Sequence, residues 1–229
     1  MFVLRHLLTL SLLPLFTIAD KYIKVHNNCS ITLSVGILTN GAHADTKVLV
    51  NVEPSKYHQF NKQDQWGGRV WARDGCSGSN MNERDCQIPG ASNPATLAEF
   101  FFKGVYGKDF YDISLVDGYN LPMRIYPVKG VPNGYDCGHI ACQINTCPQS
   151  NAVKSLVTGH VISCQSSCSA SNAPEDCCTG SYDHPEVCFG GELSIKAKSQ
   201  CPDAYTYAYD DATSTFACAS DGYVVTFCY

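Results

Sequence analysis

Apolar and polar residues alternate with a period of two in several short runs of this chain. Ile31, Leu33 and Val35 alternate with polar neighbours; Val48, Val50 and Val52 repeat the pattern, and Tyr223, Val225 and Phe227 repeat it again. Successive side chains of a strand point to opposite faces, so each run predicts a half-buried strand. Residues 110–116 are rich in aromatic and branched side chains and end at the turn pair Asp117-Gly118. Asn40-Gly41, Gly67-Gly68 and Pro132-Asn133-Gly134 are further turn signals. Many short strands with frequent turns predict a mainly β chain built as a sandwich or barrel. Residues 137–201 differ, with few strand-like runs; Val153, Leu156, Val157 and His160 are at helical spacing and predict a short helix within 152–168.

Cysteine content changes the picture of that segment. It holds nine of the chain's fourteen cysteines, and its apolar content is too thin for a core of its own, so cross-links are expected to hold it. Residues 1–19 read as a secretory leader: Arg5 and His6, a short apolar run over 7–18, and Thr17-Ile18-Ala19 as a cleavage site. A retained membrane anchor is the competing reading, but the run falls well short of the roughly 20 apolar residues that span a bilayer. With a leader, an even cysteine count reads as a disulfide framework, of a connectivity that sequence alone leaves open. The cysteine spacings lack the paired C-x2-C pattern of a zinc ribbon, so no metal or other cofactor is expected. Without Arg5 the formal net charge moves from −5 to near −6. That excludes nonspecific nucleic-acid binding and disfavours anionic membranes, while a neutral polysaccharide meets no such penalty.

Three stretches carry a family likeness: GGRVWARDGC at 67–76, PATLAEF at 94–100 running on to KDFYDISLVDGYNLPM at 108–123, and CPDAYTYAYDDATSTFAC at 201–218. Together with the cysteine order they resemble thaumatin-like proteins along the whole mature length. The resemblance implies a flattened antiparallel β-sandwich (about 20–73, 97–143 and 202–229), a small disulfide loop (74–96) and a disulfide-rich, partly helical subdomain (144–201). It also implies the pairs Cys29–Cys228, Cys76–Cys86, Cys137–Cys218, Cys142–Cys201, Cys147–Cys164, Cys168–Cys177 and Cys178–Cys188. The chain departs from the family in having fourteen cysteines where sixteen are usual. The missing two fall just after Cys86.

Acidic residues are the candidates for chemistry. Glu99 shares strand parity with Leu97 and Phe101, Asp112 interrupts an apolar strand beside Phe110 and Ser114, and Asp117 sits at the turn that follows. A carboxylate among apolar neighbours must find a partner or shift its pKa upward. The resemblance implies an acidic cleft lined by Arg69, Glu99, Asp112, Asp117 and Asp210, with the adjoining Asp211 open as the alternative to Asp210. Glu99 would then be the acid, and Asp112 or Asp117 the nucleophile or base, of at most a weak endo-β-1,3-glucanase. A structural ion-pair network around Arg69, and a turn-capping role for Asp117, are the plain alternatives. Phe110, Tyr119, Tyr205, Tyr207 and Tyr209 offer rings suited to sugar faces. By resemblance the chain is a secreted, monomeric defence protein with antifungal or antimicrobial action that binds β-1,3-glucan or another neutral polysaccharide. Non-catalytic inhibition of a microbial α-amylase or xylanase is the rival, and permeabilisation of fungal membranes a third reading. Asn28-Cys29-Ser30 fits a glycosylation sequon.

Overall fold

The computed structural model of the chain describes residues 21–43, 47–76 and 85–229; the expected leader 1–19 lies outside them, as does the middle of the disulfide loop. One sheet carries, in spatial order, β10 (Ile140–Cys142), β9 (Met123–Pro127), β15 (Gly222–Phe227), β1 (Lys21–Asn27) and β4 (Tyr57–Lys62). A second carries β13 (Ala204–Tyr205), β7 (Asp109–Ser114), β6 (Leu97–Phe101), β5 (Gly67–Asp74), β2 (Leu33–Thr39) and β3 (Val48–Val52), with β14 (Phe216–Cys218) also paired to β7. Most ladders are antiparallel; β1 runs parallel to β15, and β13 to β7. Ile23 and Val25 of β1, Ile125 of β9, and Tyr223, Val225 and Phe227 of β15 meet Val35, Val70, Ala98, Phe100, Tyr111 and Ile113 of the second sheet in one buried cluster. The fold is therefore a mainly β sandwich whose core is the inner faces of two sheets.

At one end of the sandwich a buried charge ties both sheets together. Asp109, fully buried, accepts hydrogen bonds from Lys21 Nζ at 2.7 Å, the Tyr223 hydroxyl at 2.8 Å and the Lys103 amide at 2.9 Å. An ion taken out of water is tolerated only when partnered in this way. All fourteen cysteines are bonded: Cys29–Cys228, Cys76–Cys86, Cys137–Cys218, Cys142–Cys201, Cys147–Cys164, Cys168–Cys177 and Cys178–Cys188. Among the described residues no helix is long and apolar enough to cross a membrane.

The cysteine-rich segment departs from the sequence expectation. Residues 152–168 form not a helix but a hairpin, β11 (Ala152–Lys154) and β12 (Val161–Gln165), whose second strand pairs with β8 (Gly118–Tyr119). The Ser155 hydroxyl accepts the amides of Val157 and Thr158 to shape the turn, and Gly159 takes a left-handed φ of 71° there. Leu156 and Val157 are each 63% exposed, so the helical spacing had no core to face. Helical structure appears instead in α1 (Ser167–Ser171), capped by Ser166, in α2 (Pro174–Cys177), and in α3 (Glu192–Gln200). A further short helix, α4 (Asp211–Ser214), follows β13.

Strand β2 differs too. It starts at Leu33, leaving Ile31 38% exposed, and is buried on both faces over 33–38 instead of one. Its outer face is covered because Trp71 of β5 lies against the Gly36 backbone, beside Leu38, Ala95 and Leu97 in a second small apolar cluster. A Cβ at Gly36 would sit 2.3 Å from the Trp71 indole. Gly36→Ala is therefore expected to displace that ring and cost about 1–3 kcal/mol, as overpacking does. Urea unfolding would read the loss, and a changed tryptophan emission spectrum the displacement.

Candidate functional site

Parity and register together build a polar row on the outer face of the second sheet. Core contacts claim Val70 on β5, Ala98 and Phe100 on β6, and Tyr111 and Ile113 on β7. The alternate residues Arg69, Glu99 and Asp112 must then point outward. The ladders place Arg69 opposite Glu99, and Glu99 opposite Asp112. Directly opposed residues hold their Cβ atoms about 4.5–5.5 Å apart, so a guanidinium and two carboxyls stand side by side across three strands.

The turn after β7 adds a third acid. Gly118, at φ 134°, lies against the Cys164 carbonyl, where a Cβ would approach to 2.0 Å; only glycine fits. Ser166 donates its amide to the Asp117 carbonyl at 3.1 Å. Asp117 is thereby fixed where the sheet meets the cysteine-rich segment.

Asp210 goes elsewhere. Buried at 6% exposure, it pairs with Lys198 of α3 at 3.0 Å and accepts from the Thr206 amide, the Thr206 hydroxyl and the Thr213 hydroxyl. That ring of partners turns it away from the row and makes it a structural ion pair. Its neighbour Asp211 is exposed, accepts from the Tyr205 hydroxyl at 2.9 Å, and acts electrostatically on Asp112. Electrostatic interactions thus link Asp112 to Glu99 and Asp211, and Glu99 to Arg69 and Asp117, while Asp210 is engaged by Lys198 and the two threonines.

All three row carboxyls titrate above their usual range. Burial is the main cause for Asp112, which is raised furthest, followed by the charges of Glu99 and Asp211. One of its oxygens is fully buried without a hydrogen-bond partner. Burial also raises Glu99, with Arg69 and then the Ser114 hydroxyl opposing it and Asp117 adding to it. Asp117 is raised by burial against the pull of Arg69. Across the ladder the charge of Glu99 opposes ionisation of Asp112. Asp112, the more enclosed of the two, therefore favours its neutral form, while Arg69 favours the charge on Glu99.

Of the aromatic candidates, Phe110 lies on the same face as Asp112, and Tyr205 reaches Asp211 and Thr215. Tyr119 is buried and donates to the Thr146 carbonyl; Tyr209 donates to Asp183 in the cysteine-rich segment. Tyr207 packs against Gly190. Sequence reasoning missed the buried Arg73, two residues beyond Trp71 on β5. It donates to the Gln87 carbonyl and to the side chain and carbonyl of Asn93, and burial lowers its pKa to about 10 despite Asp85. Its signal was only parity with Arg69.

The thaumatin family profile matches residues 27–229. A pathogenesis-related thaumatin-like protein 3.5 of Cryptomeria japonica is 38% identical over 214 residues, 88% of this chain and 87% of that one. A glucan endo-1,3-beta-glucosidase of Prunus avium is 36% identical over 223 residues, 90% and 89% of the two chains. The solved structure of a laminaripentaose-producing beta-1,3-glucanase in complex with laminaritetraose covers 91% of this chain and 98% of its own, with a TM-score of 0.57 and 8% identity. That last likeness is one of fold alone.

The raised carboxyls carry a sign for stability. A carboxyl whose folded pKa lies above its unfolded value binds more protons folded than unfolded, so stability falls as pH rises between the two values. The native protein is expected to lose stability from about pH 4 upward through the folded pKa of Asp112. Asp112→Asn, a neutral isostere, should flatten that slope and be the more stable protein at pH 7. Urea midpoints between acid and neutral pH measure it; an unchanged slope in the variant refutes the proton on Asp112.

Proposed function

This chain belongs to the thaumatin family, and from that premise we propose that it is a secreted defence protein whose acidic row binds a neutral β-1,3-glucan. The single observation that supports the reading is the in-register Arg69–Glu99–Asp112 row with its raised carboxyls. A sugar offers hydroxyls that both donate and accept. A protonated Asp112 donates and accepts, an ionised Glu99 accepts, and Arg69 donates, so the row supplies each kind of partner. A neutral chain also meets no repulsion from an acidic protein. The leader at 1–19 and the single domain at 20–229 belong to the same reading, with a monomer as the working form.

Hydrolysis is the lesser part of the proposal. Glycosidic cleavage needs one carboxyl with a raised pKa to protonate the leaving oxygen and a second as nucleophile or base. The raised carboxyl of Glu99 would serve the first step, with Asp112 or Asp117 as the second group. An Asp112 that keeps its proton is a weak nucleophile or base, and slow turnover at most is in keeping with that.

The protein is expected to be retained on insoluble β-1,3-glucan, and Glu99→Ala to abolish retention. Asp211→Asn should weaken retention with the fold intact. Asp210→Ala should instead cost stability, about 3 kcal/mol, by stranding Lys198. Pull-down on the glucan paired with urea unfolding separates these effects, and full retention of Glu99→Ala removes the row from the function.

A further inference from the structure

The row has a neighbour one step along the same face. Two residues further on each strand, the outward positions are Asn40, Gly67, Phe101 and Phe110: Asn40 donates its amide to the Gly67 carbonyl at 2.9 Å, Gly67 pairs with Phe101, and Phe101 pairs with Phe110. Two residues of strand are about 6.8 Å, so this second row lies directly beside Arg69, Glu99 and Asp112. It differs sharply in chemistry. Phe101 is 56% exposed although it sits in a central strand. Glycines flank its ring: a Cβ at Gly67 would lie 3.1 Å from the ring, and one at Gly104 3.2 Å. No side chain is therefore built over the ring from either position.

Phe101 also forms one wall of an open groove of about 550 Å³ lined by Asn40, Asn61, Lys62, Gln63, Gln65 and Trp66 among others. Four of these carry side-chain amides, and Asn61 already accepts from Gln59 at 2.8 Å. Among the described residues the side-chain amides of Asn40, Gln63 and Gln65 have no hydrogen-bond partner. Trp66 donates its indole N–H to Thr39 at 2.8 Å and lies beneath Lys62, whose ammonium is 5.0 Å from the ring. An exposed apolar ring edged by neutral groups that both donate and accept suits one kind of ligand: a flat, uncharged molecule rich in hydroxyls. An anion would face the neighbouring carboxyls, and a cation would face Lys62 and Arg69.

We infer that Phe101 and the amide-lined groove form a second saccharide subsite, which takes a neutral β-glucan chain as it leaves the acidic row. A sugar ring stacks on Phe101, and its hydroxyls exchange hydrogen bonds with Asn40 and Gln65. The inference rests on the reading of the row as a glucan site for the identity of the chain, but not for the chemistry of the groove. Because Phe101 is exposed, its loss leaves the core untouched.

Isothermal titration with a soluble linear β-1,3-glucan heptasaccharide tests it, using the whole protein. Phe101→Ala is expected to weaken binding about tenfold, Gln65→Ala to weaken it less, and Phe101→Trp to hold native affinity. Native affinity in Phe101→Ala, with Glu99→Gln impaired, overturns the subsite and leaves the acidic row standing. Native affinity in Glu99→Gln, with Phe101→Ala impaired, keeps the subsite and overturns the row. A native protein that binds no neutral β-linked oligosaccharide overturns both. Equal urea midpoints for the Phe101 variants exclude a folding artefact.

Discussion

Like charges held on adjacent strands repel, and the outer face of the larger sheet is organised around that repulsion. Glu99 and Asp112 cannot move apart, because the ladder that aligns them also aligns Ala98 and Phe100 with Ile113 and Tyr111 in the core. A slip of one residue would relieve the acids and expose the apolar set. The conflict is met by the Arg69 guanidinium on one side and by the raised pKa of Asp112 on the other. Both solutions leave hydrogen-bonding capacity directed outward, where a polyhydroxylated ligand can use it.

Cross-links and buried ions do the complementary work of keeping the sheets from adjusting. Asp109 joins β1, β7 and β15, and Cys29–Cys228 bonds residues 199 apart in sequence. The cysteine-rich segment contributes to the site by contact as well as by its own bonds. Its hairpin pairs with the strand that follows Asp117, and its helix α3 supplies the lysine that draws Asp210 inward.

Much of the sandwich was legible because period-two alternation marks a strand that has one buried face. Strands β3, β7 and β15 lie where alternation or composition put them, although β15 is buried on both faces and β3 buries only Val52 fully. Glu99's parity with Leu97 and Phe101 was equally readable. What alternation cannot report is which strand lies beside which, so the row itself was reached only through family likeness. Residues 152–168 misled for a physical reason: Val153, Leu156 and Val157 fit a helical face, but disulfide and ladder bonds fix the segment while Leu156 and Val157 stay in water. Asp210 and Asp211 could not be separated from sequence, since their sorting depends on Lys198 in a helix whose position within the partly helical 144–201 segment no apolar pattern marks.

The parallel pairing of β1 with β15 has a consequence for biogenesis. The strand that completes the centre of the five-stranded sheet follows all of its other strands in the chain, and it lies between β1 and β9. During translation β1 lacks this neighbour until every other strand of the sandwich has been made, and contacts this distant in sequence form slowly. Closure of the sandwich is thus a late step, in which one strand enters between two that are already present.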